Sequence, residues 1–169
     1  YRMAEVAERG KEIDVLDMTQ ENGVPVYMVV IRSDSFPHFY TGAAAGFDPE
    51  CAMHKALDEA IVGFTSRVAS EESLKQEELI KQAKGTFDVD SHGMLYAADP
   101  VLARSLDWLC DGDYGPVPDS GLIPSYESIV RRYNPAVFEL DNAALGNELR
   151  VVRVVAEDLI PVLFGSVFV

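Results

Sequence analysis

Polar and apolar residues alternate over residues 12–19, which is the pattern of a β-strand with one buried face. A polar turn at residues 20–23 leads into residues 24–31, which are almost continuously apolar. Such a run is typical of a central strand, because both of its faces must be covered. The pattern therefore predicts two consecutive strands, of which the second lies inside the sheet.

A helix–strand–turn–strand order occurs twice in the chain. Residues 1–10 predict a helix that ends at Gly10, ahead of the first pair of strands. Residues 125–133 predict a helix ahead of a second pair, at 136–141 and 149–155. The repeat is loose, and ordinary α/β chains show the same order. It still favours an α/β (α+β) fold, with helices layered on a mixed β-sheet, over a helical bundle.

The central part of the chain predicts further helices separated by loops. Residues 71–84 are rich in Glu, Lys and Gln and predict a polar helix, whereas residues 85–93 lack periodicity and predict a mobile loop. Asp99, followed by proline, is the expected N-cap of a helix over residues 100–110. Residues 111–118 form a turn-rich linker, but no convincing domain boundary is visible, so residues 1–169 are treated as one domain.

Residues 42–64 are the most informative segment of the chain. A strand ends there in the run Gly-Ala-Ala-Ala-Gly, and a helix follows with Asp48 as its N-cap and Pro49 at its first position. At about 100° per residue, one broad arc of this helix is apolar and must face the core. The predicted core face consists of Ala52, Met53, Ala56, Leu57, Ala60, Phe64 and Val68.

One edge of that face is built from the small residues Ala52, Ala56 and Gly63, so a backbone or a ligand can approach closely there. Glu59 lies just outside this edge, and a carboxylate in that position is either a functional ligand or a structural partner. Val62 is unusual because it projects onto the polar side of the helix.

Two interpretations of this segment remain open from spacing alone. An edge glutamate commonly pairs with a lysine, and Lys55 lies four residues before Glu59. Likewise, the Gly-Ala run either offers backbone amides to an anion or simply packs tightly, and it lacks the lysine and hydroxyl of a P-loop.

Charge narrows the classes of partner. The 169 residues include 14 Lys and Arg against 28 Asp and Glu, a net charge of −14. The absence of a basic stripe argues against nucleic acid and against anionic membrane surfaces, and no apolar run reaches the roughly 18 residues of a membrane span. An acidic protein can still bind phosphates through Mg²⁺. Cys51 and Cys110 match no metal or disulfide pattern, which indicates free thiols and a cytoplasmic location.

The other candidate residues carry weaker signals. His38, His54 and His92 are isolated and lack the spacing of metal ligands, and His92 is expected either to touch a substrate or to be solvated. Arg153 alternates within an apolar strand, where it either holds an anion or is exposed.

Three blocks, in order, resemble the YcaO family. The first is the run Gly-Ala-Ala-Ala-Gly-Phe-Asp-Pro-Glu at 42–50, continued by the helix that carries Glu59. The second is Asp-Ser-His-Gly-Met-Leu-Tyr at 90–96, followed by Asp-Pro and by Leu-Asp-Trp-Leu. The third is Leu-Arg-Val-Val-Arg-Val-Val at 149–155, followed by Leu-Ile-Pro and Phe-Gly. The pattern is most similar to the azole-forming cyclodehydratases of ribosomal peptide modification.

The resemblance implies a specific site. YcaO proteins bind ATP and Mg²⁺ through three glutamate-rich motifs and activate a backbone amide of a peptide, which yields azolines or thioamides. Glu59 matches the glutamate of the third motif, Glu-x-x-Gln or Glu-x-x-Arg, and would therefore contribute to both the cofactor and the metal site. Val62 stands at the Gln/Arg position and departs from the motif. No catalytic residue is assigned.

The implied protein is larger than this chain. Residues 1–169 are expected to be the C-terminal part of a YcaO domain, with the first two motifs upstream. The leading functional hypothesis is ATP-dependent amide activation during ribosomal peptide or protein modification, and the alternative is a degenerate, non-catalytic YcaO-like module. Expected partners are a peptide or protein substrate, a partner protein or leader-peptide-binding domain, and a second copy in a homodimer.

Overall fold

A computed structural model of the protein describes residues 11–71, 89–113, 115, 123–140 and 151–156. The chain divides into two compact units, one formed by Tyr1–Ile123 with Phe164–Val169 and the other by Pro124–Leu163. Predictions that fall on residues 1–10, 72–88 and 157–169 lie outside the described residues.

The first unit contains a three-stranded antiparallel sheet of β1 (Glu12–Asp17), β2 (Val26–Arg32) and β3 (Phe39–Ala45), in the order β1-β2-β3. The central position of β2 confirms the prediction from its continuous apolar run. Strand β1 ends two residues earlier than predicted, because the Asp17 carboxylate accepts the backbone N–H of Thr19 at 2.9 Å and turns the chain.

Helix α1 (Pro49–Glu71) covers one face of this sheet. Its N-terminus is capped as predicted: the Asp48 carboxylate accepts the N–H of Cys51 at 3.0 Å, and this hydrogen bond lowers the pKa of Asp48. The predicted core face is confirmed. Ala52, Ala56, Ala60 and Phe64 are buried, Met53, Leu57 and Val68 pack against them, and β2 contributes Tyr27, Val29 and Ile31 to the same cluster.

The opposite face of the sheet is covered by α2 (Val89–Ala98), α3 (Pro100–Arg104) and a 3₁₀ helix (Asp107–Cys110). The prediction of a loop was wrong for residues 89–93, which begin α2. The aromatic side chain of Tyr96 in that helix packs on Phe39 of β3, with ring centroids 6.3 Å apart. Packing against the sheet thus stabilises a helix that the local sequence does not mark.

The predicted helix over residues 100–110 is interrupted. Asp99 caps it as expected, accepting the N–H of Val101 at 2.9 Å. The α-helix then ends, and the Ser105 hydroxyl donates to the Leu102 carbonyl at 2.6 Å. Such a side-chain bond competes with the helical backbone pattern. The tighter 3₁₀ turn that follows carries Cys110 into the core.

The second unit contains α4 (Tyr126–Tyr133) and an antiparallel pair of strands, β4 (Ala136–Leu140) and β5 (Val151–Val155). Ser125 is the N-cap of α4, and Asn134 ends the helix in the left-handed conformation, with φ 38°. The helix and both strands were predicted. The α/β class is confirmed, with the described strands arranged in two antiparallel sheets. Short connections favour this outcome, because a parallel pair needs a crossover of a dozen or more residues.

Candidate functional site

Strand β3, an edge strand of the described sheet, passes unusually close to α1. A Cβ atom added at Gly42 would lie 2.6 Å from the carbonyl oxygen of Ala56 and 2.9 Å from the Cα of Ala60. These two atoms, and the backbone nitrogen of Ala60, which would lie closer still, all belong to the helix backbone, so a larger residue cannot be accommodated by a rotamer change. Glycine at position 42 therefore sets the distance between strand and helix.

A second close approach lies one helical turn further along α1. A Cβ atom at Gly63 would overlap the ring and hydroxyl of Tyr40 from β3. The small edge of α1 predicted from Ala56 and Gly63 is thus real, and what approaches it is strand β3 rather than a ligand.

Glu59 lies between these two contacts and reaches around the edge of the sheet. Its Oε2 atom accepts a hydrogen bond from the backbone N–H of Ala43 at 3.2 Å. The ion pair with Lys55 that helical spacing suggested is not formed between these two described residues. The carboxylate is exposed to solvent, and Oε1 makes no hydrogen bond within the described part of the chain. One oxygen is therefore held by the backbone, and the other is open.

Glu59 also lines a cavity of about 430 Å³ beside the edge of β3. Arg67 of α1 and His92 of α2 line the same cavity, and its remaining walls are Phe39, Tyr40, Thr41, Gly93, Tyr96 and Leu106. The His92 ring packs edge-on against Tyr96, with centroids 5.3 Å apart. The structure thus brings Glu59 together with His92, which lies in α2 and not in the loop that its sequence pattern predicts.

Arg67 was not among the residues singled out from the sequence. A signal for it exists, because positions 59, 63 and 67 recur every four residues and therefore lie along one side of a helix. A carboxylate and a guanidinium beside one cavity give it both signs of charge. Such a pair suits a ligand that presents a phosphate and a metal ion.

Val62 is 53% exposed, and it does not line this cavity. Its projection onto the polar side of α1 is confirmed. The hydroxyl of Ser66 donates to the Val62 carbonyl at 2.7 Å, a contact that involves only the backbone of Val62. The valine side chain offers neither a donor nor an acceptor at the position that the resemblance described above matches to Gln or Arg.

A second cavity, of about 310 Å³, opens on the other side of β3 and is lined in part by Glu12, Arg32 and Asp107. The Arg32 guanidinium is paired with Asp14 at 2.8 Å and Glu12 at 3.0 Å. Burial, together with a hydrogen bond to Asp14, raises the pKa of the Cys110 thiol from 9.0 to about 11. The charge of Arg32 is therefore balanced by the carboxylates of Glu12 and Asp14. Asp14 also bonds the Cys110 thiol, and this contact stabilises the packing of the 3₁₀ helix on the sheet.

The remaining candidates are not among the residues that line the Glu59 cavity. Arg153 is exposed on β5 in the second unit, and His54 lies on α1 with its Nε2 3.8 Å from Glu50. Cys51 and Cys110 are both reduced thiols, as predicted, and neither takes part in a disulfide bond. Over the described ranges, no group of three His, Cys, Asp or Glu side chains is arranged to hold a metal ion, and no helix is long and apolar enough to cross a membrane.

The fold and the cavity together define an α/β protein in which helix α1 presents a carboxylate and a guanidinium to a cavity beside the sheet. The chain matches the family described as "YcaO cyclodehydratase, ATP- and Mg²⁺-binding" over residues 2–159, and it belongs to the YcaO family. A comparison with curated proteins gives no significant match.

Two solved structures share the fold. One is described as "Heterocyclase in complex with substrate and Cofactor"; it aligns with a TM-score of 0.60 at 17% identity and covers 89% of this chain. The other, "Structure of the heterocyclase TruD", aligns with a TM-score of 0.55 at 18% identity and covers 91%. At these identities the likeness concerns the fold alone. The chain spans 20% of the length of each heterocyclase chain.

The described residues are suited to form part of a Mg²⁺–nucleotide site, but they are too few to form a complete one. Glu59 offers a single open oxygen, whereas Mg²⁺ takes six ligands and is commonly held by one or two carboxylates with phosphate and water. Arg67, which lines the same cavity and also makes an interaction of its own, carries the type of cation that phosphate oxygens favour.

Proposed function

We propose that the full-length protein uses ATP and Mg²⁺ to activate backbone amides of a peptide, leading to azolines or thioamides in a ribosomal peptide or protein. Membership of the YcaO family over residues 2–159 is the observation that carries this proposal. The activity is assigned to the full-length protein because this chain spans only a fifth of each heterocyclase chain that it matches.

Within this proposal, Glu59 is a ligand of the Mg²⁺–nucleotide, through the oxygen that Ala43 leaves open. The support is threefold: the match to the third YcaO motif, the position of Glu59 at the cavity, and the presence of Arg67 beside the same cavity. When bound, ATP supplies the phosphoryl group that makes an amide oxygen a good leaving group. The residues of this chain are proposed to bind and orient it.

Isothermal titration calorimetry with Mg²⁺–ATP tests the role of Glu59 in the full-length protein. Glu59→Gln keeps the shape of the side chain and removes its charge, so we expect binding to weaken by at least about tenfold. Glu50→Gln is the matched control, since Glu50 is an exposed glutamate of the same helix and does not line the cavity. Equal affinity of wild type and Glu59→Gln would remove Glu59 from the site.

A second hypothesis, a degenerate module that binds a peptide or partner protein without catalysis, is favoured by Val62. This residue is exposed and apolar one turn from Glu59, where the motif calls for a polar side chain. Val62→Gln distinguishes the two hypotheses. A wild type that binds no Mg²⁺–ATP, together with a Val62→Gln variant that does, identifies a degenerate site. A wild type that binds with micromolar affinity supports the enzyme.

The expected surroundings of the protein follow from the same proposal. Two free thiols, one of them exposed, favour the reducing cytoplasm. A peptide or protein substrate, a leader-peptide-binding domain or partner protein, and a homodimer remain predictions.

A further inference from the structure

We infer that the backbone amide of Ala43 positions the Glu59 carboxylate, and that Gly42 makes this contact possible. The inference rests on the proposed function, in which Glu59 binds the Mg²⁺–nucleotide. It adds a group outside the third YcaO motif to the site. The contributing group belongs to β3, the edge strand of the described sheet, rather than to the helix that carries the glutamate.

The direction of the Ala43 amide follows from the register of the sheet. Along a strand of an antiparallel pair, the backbone N–H of one residue points toward the partner strand and that of the next residue points away from it. The Gly46 N–H donates to the Pro25 carbonyl at 3.1 Å, toward β2, and Ala43 lies three residues earlier, so its N–H points outward. The outward N–H of Ala43 is the one that Glu59 accepts.

The distance from Ala43 to Glu59 is set by the packing beneath them. Gly42 lies directly against the backbone of Ala56 and Ala60, the helix positions that flank Glu59. Tyr40 and Gly63 make the second close contact, one turn beyond. Because β3 packs on α1 on both sides of Glu59, the glutamate side chain is long enough to reach from α1 to the backbone N–H of Ala43.

This arrangement restrains one carboxylate oxygen and leaves the other for a ligand. A hydrogen bond from a backbone amide to a carboxylate is charge-assisted and directional. It limits the rotamers of a side chain that is otherwise exposed, which reduces the ordering that a ligand would have to impose. A freely rotating glutamate at the same place would bind the same ligand more weakly.

Ala43→Pro removes the N–H donor, and Ala45→Pro is its matched control. Proline is tolerated on an edge strand where the N–H faces outward, and residues 43 and 45 face the same way. The backbone N–H of Ala45 donates to no side chain among the described residues. The Ala45→Pro variant therefore carries the cost of placing proline in β3 without the loss of a contact to a carboxylate. We expect Ala43→Pro to weaken Mg²⁺–ATP binding by about tenfold and Ala45→Pro by less than about twofold.

A double-mutant cycle separates positioning from damage to the fold. If Ala43 acts through Glu59, then Ala43→Pro has no further effect on affinity in a Glu59→Ala background. Equal losses for the two proline variants, tighter binding by Ala43→Pro, or additive effects in the double mutant would each overturn the inference while leaving the proposed function intact. A wild type that binds no Mg²⁺–ATP would overturn both.

Amide hydrogen exchange, measured without nucleotide, examines the contact itself. In Glu59→Ala we expect exchange at Ala43 to accelerate by about tenfold or more, because the acceptor that its N–H has among the described residues is removed. Exchange at Gly42 and Ala44, which face β2, is expected to stay unchanged. Unaltered exchange at Ala43 would contradict the hydrogen bond on which the inference depends.

Discussion

Replacing Gly42 by alanine tests the geometry on which the whole site depends. The added Cβ would lie 2.6 Å from the carbonyl oxygen of Ala56 and 2.9 Å from the Cα of Ala60. Carbon atoms in contact normally lie 3.5–4.0 Å apart, so the strand and the helix must separate by roughly 1 Å. Since the obstructing atoms are backbone, no side-chain rotation relieves the overlap.

The expected cost can be estimated from overpacked cores. Inserting a methyl group into a well-packed interior costs about 1–3 kcal/mol. The upper end, about 3 kcal/mol, applies here because two secondary structure elements must move. For a chain of 169 residues this corresponds to a fall in Tm of roughly 6–12 °C.

Differential scanning calorimetry of Gly42→Ala and Gly46→Ala provides the comparison. At Gly46 an added Cβ would meet the Ala52 Cβ at 3.7 Å, an ordinary contact, so we expect a change within about 1 kcal/mol of zero. Because the Glu59–Ala43 hydrogen bond spans the same gap, exchange at Ala43 should also accelerate in Gly42→Ala. Equal melting temperatures for the two variants would refute the close packing of β3 on α1.

Three further predictions concern the core and the thiols. Phe64 is 1% exposed at the centre of the first cluster, and Phe64→Ala is expected to destabilise the fold by about 3–5 kcal/mol in urea denaturation, against a near-neutral Val62→Ala. The folded state keeps the Cys110 thiol protonated up to about pH 11, whereas the unfolded chain loses this proton near pH 9. Stability should therefore fall as the pH rises from 9 to 11, by about 1–2 kcal/mol once solvent screening is allowed for, and the fall should be smaller in Cys110→Ala. A thiol reagent at pH 8 should label Cys51 rapidly and Cys110 only after unfolding, and equal labelling rates would contradict the burial of Cys110.

Local patterns predicted much of the fold because their signals lie within a few residues. The core face of α1 follows from spacing at 3.6 residues per turn, its start from Asp48, and the interior position of β2 from unbroken apolarity. The local pattern of residues 89–93 did not predict the helix that they form. Their helix is short and weakly patterned, and it gains stability from packing against the sheet, where Tyr96 meets Phe39.

The candidate site divides in the same way. The sequence by itself placed Glu59 on the border of the small-residue edge of α1 and placed Val62 on the polar side of that helix. It also indicated the YcaO family through the order of its motifs. Only the tertiary structure decided that the edge is filled by β3, that the partner of Glu59 is the Ala43 amide rather than Lys55, and that Arg67 and His92 share its cavity. The reason is physical: helical spacing fixes which residues share a face, whereas what that face meets depends on contacts between residues distant in the chain.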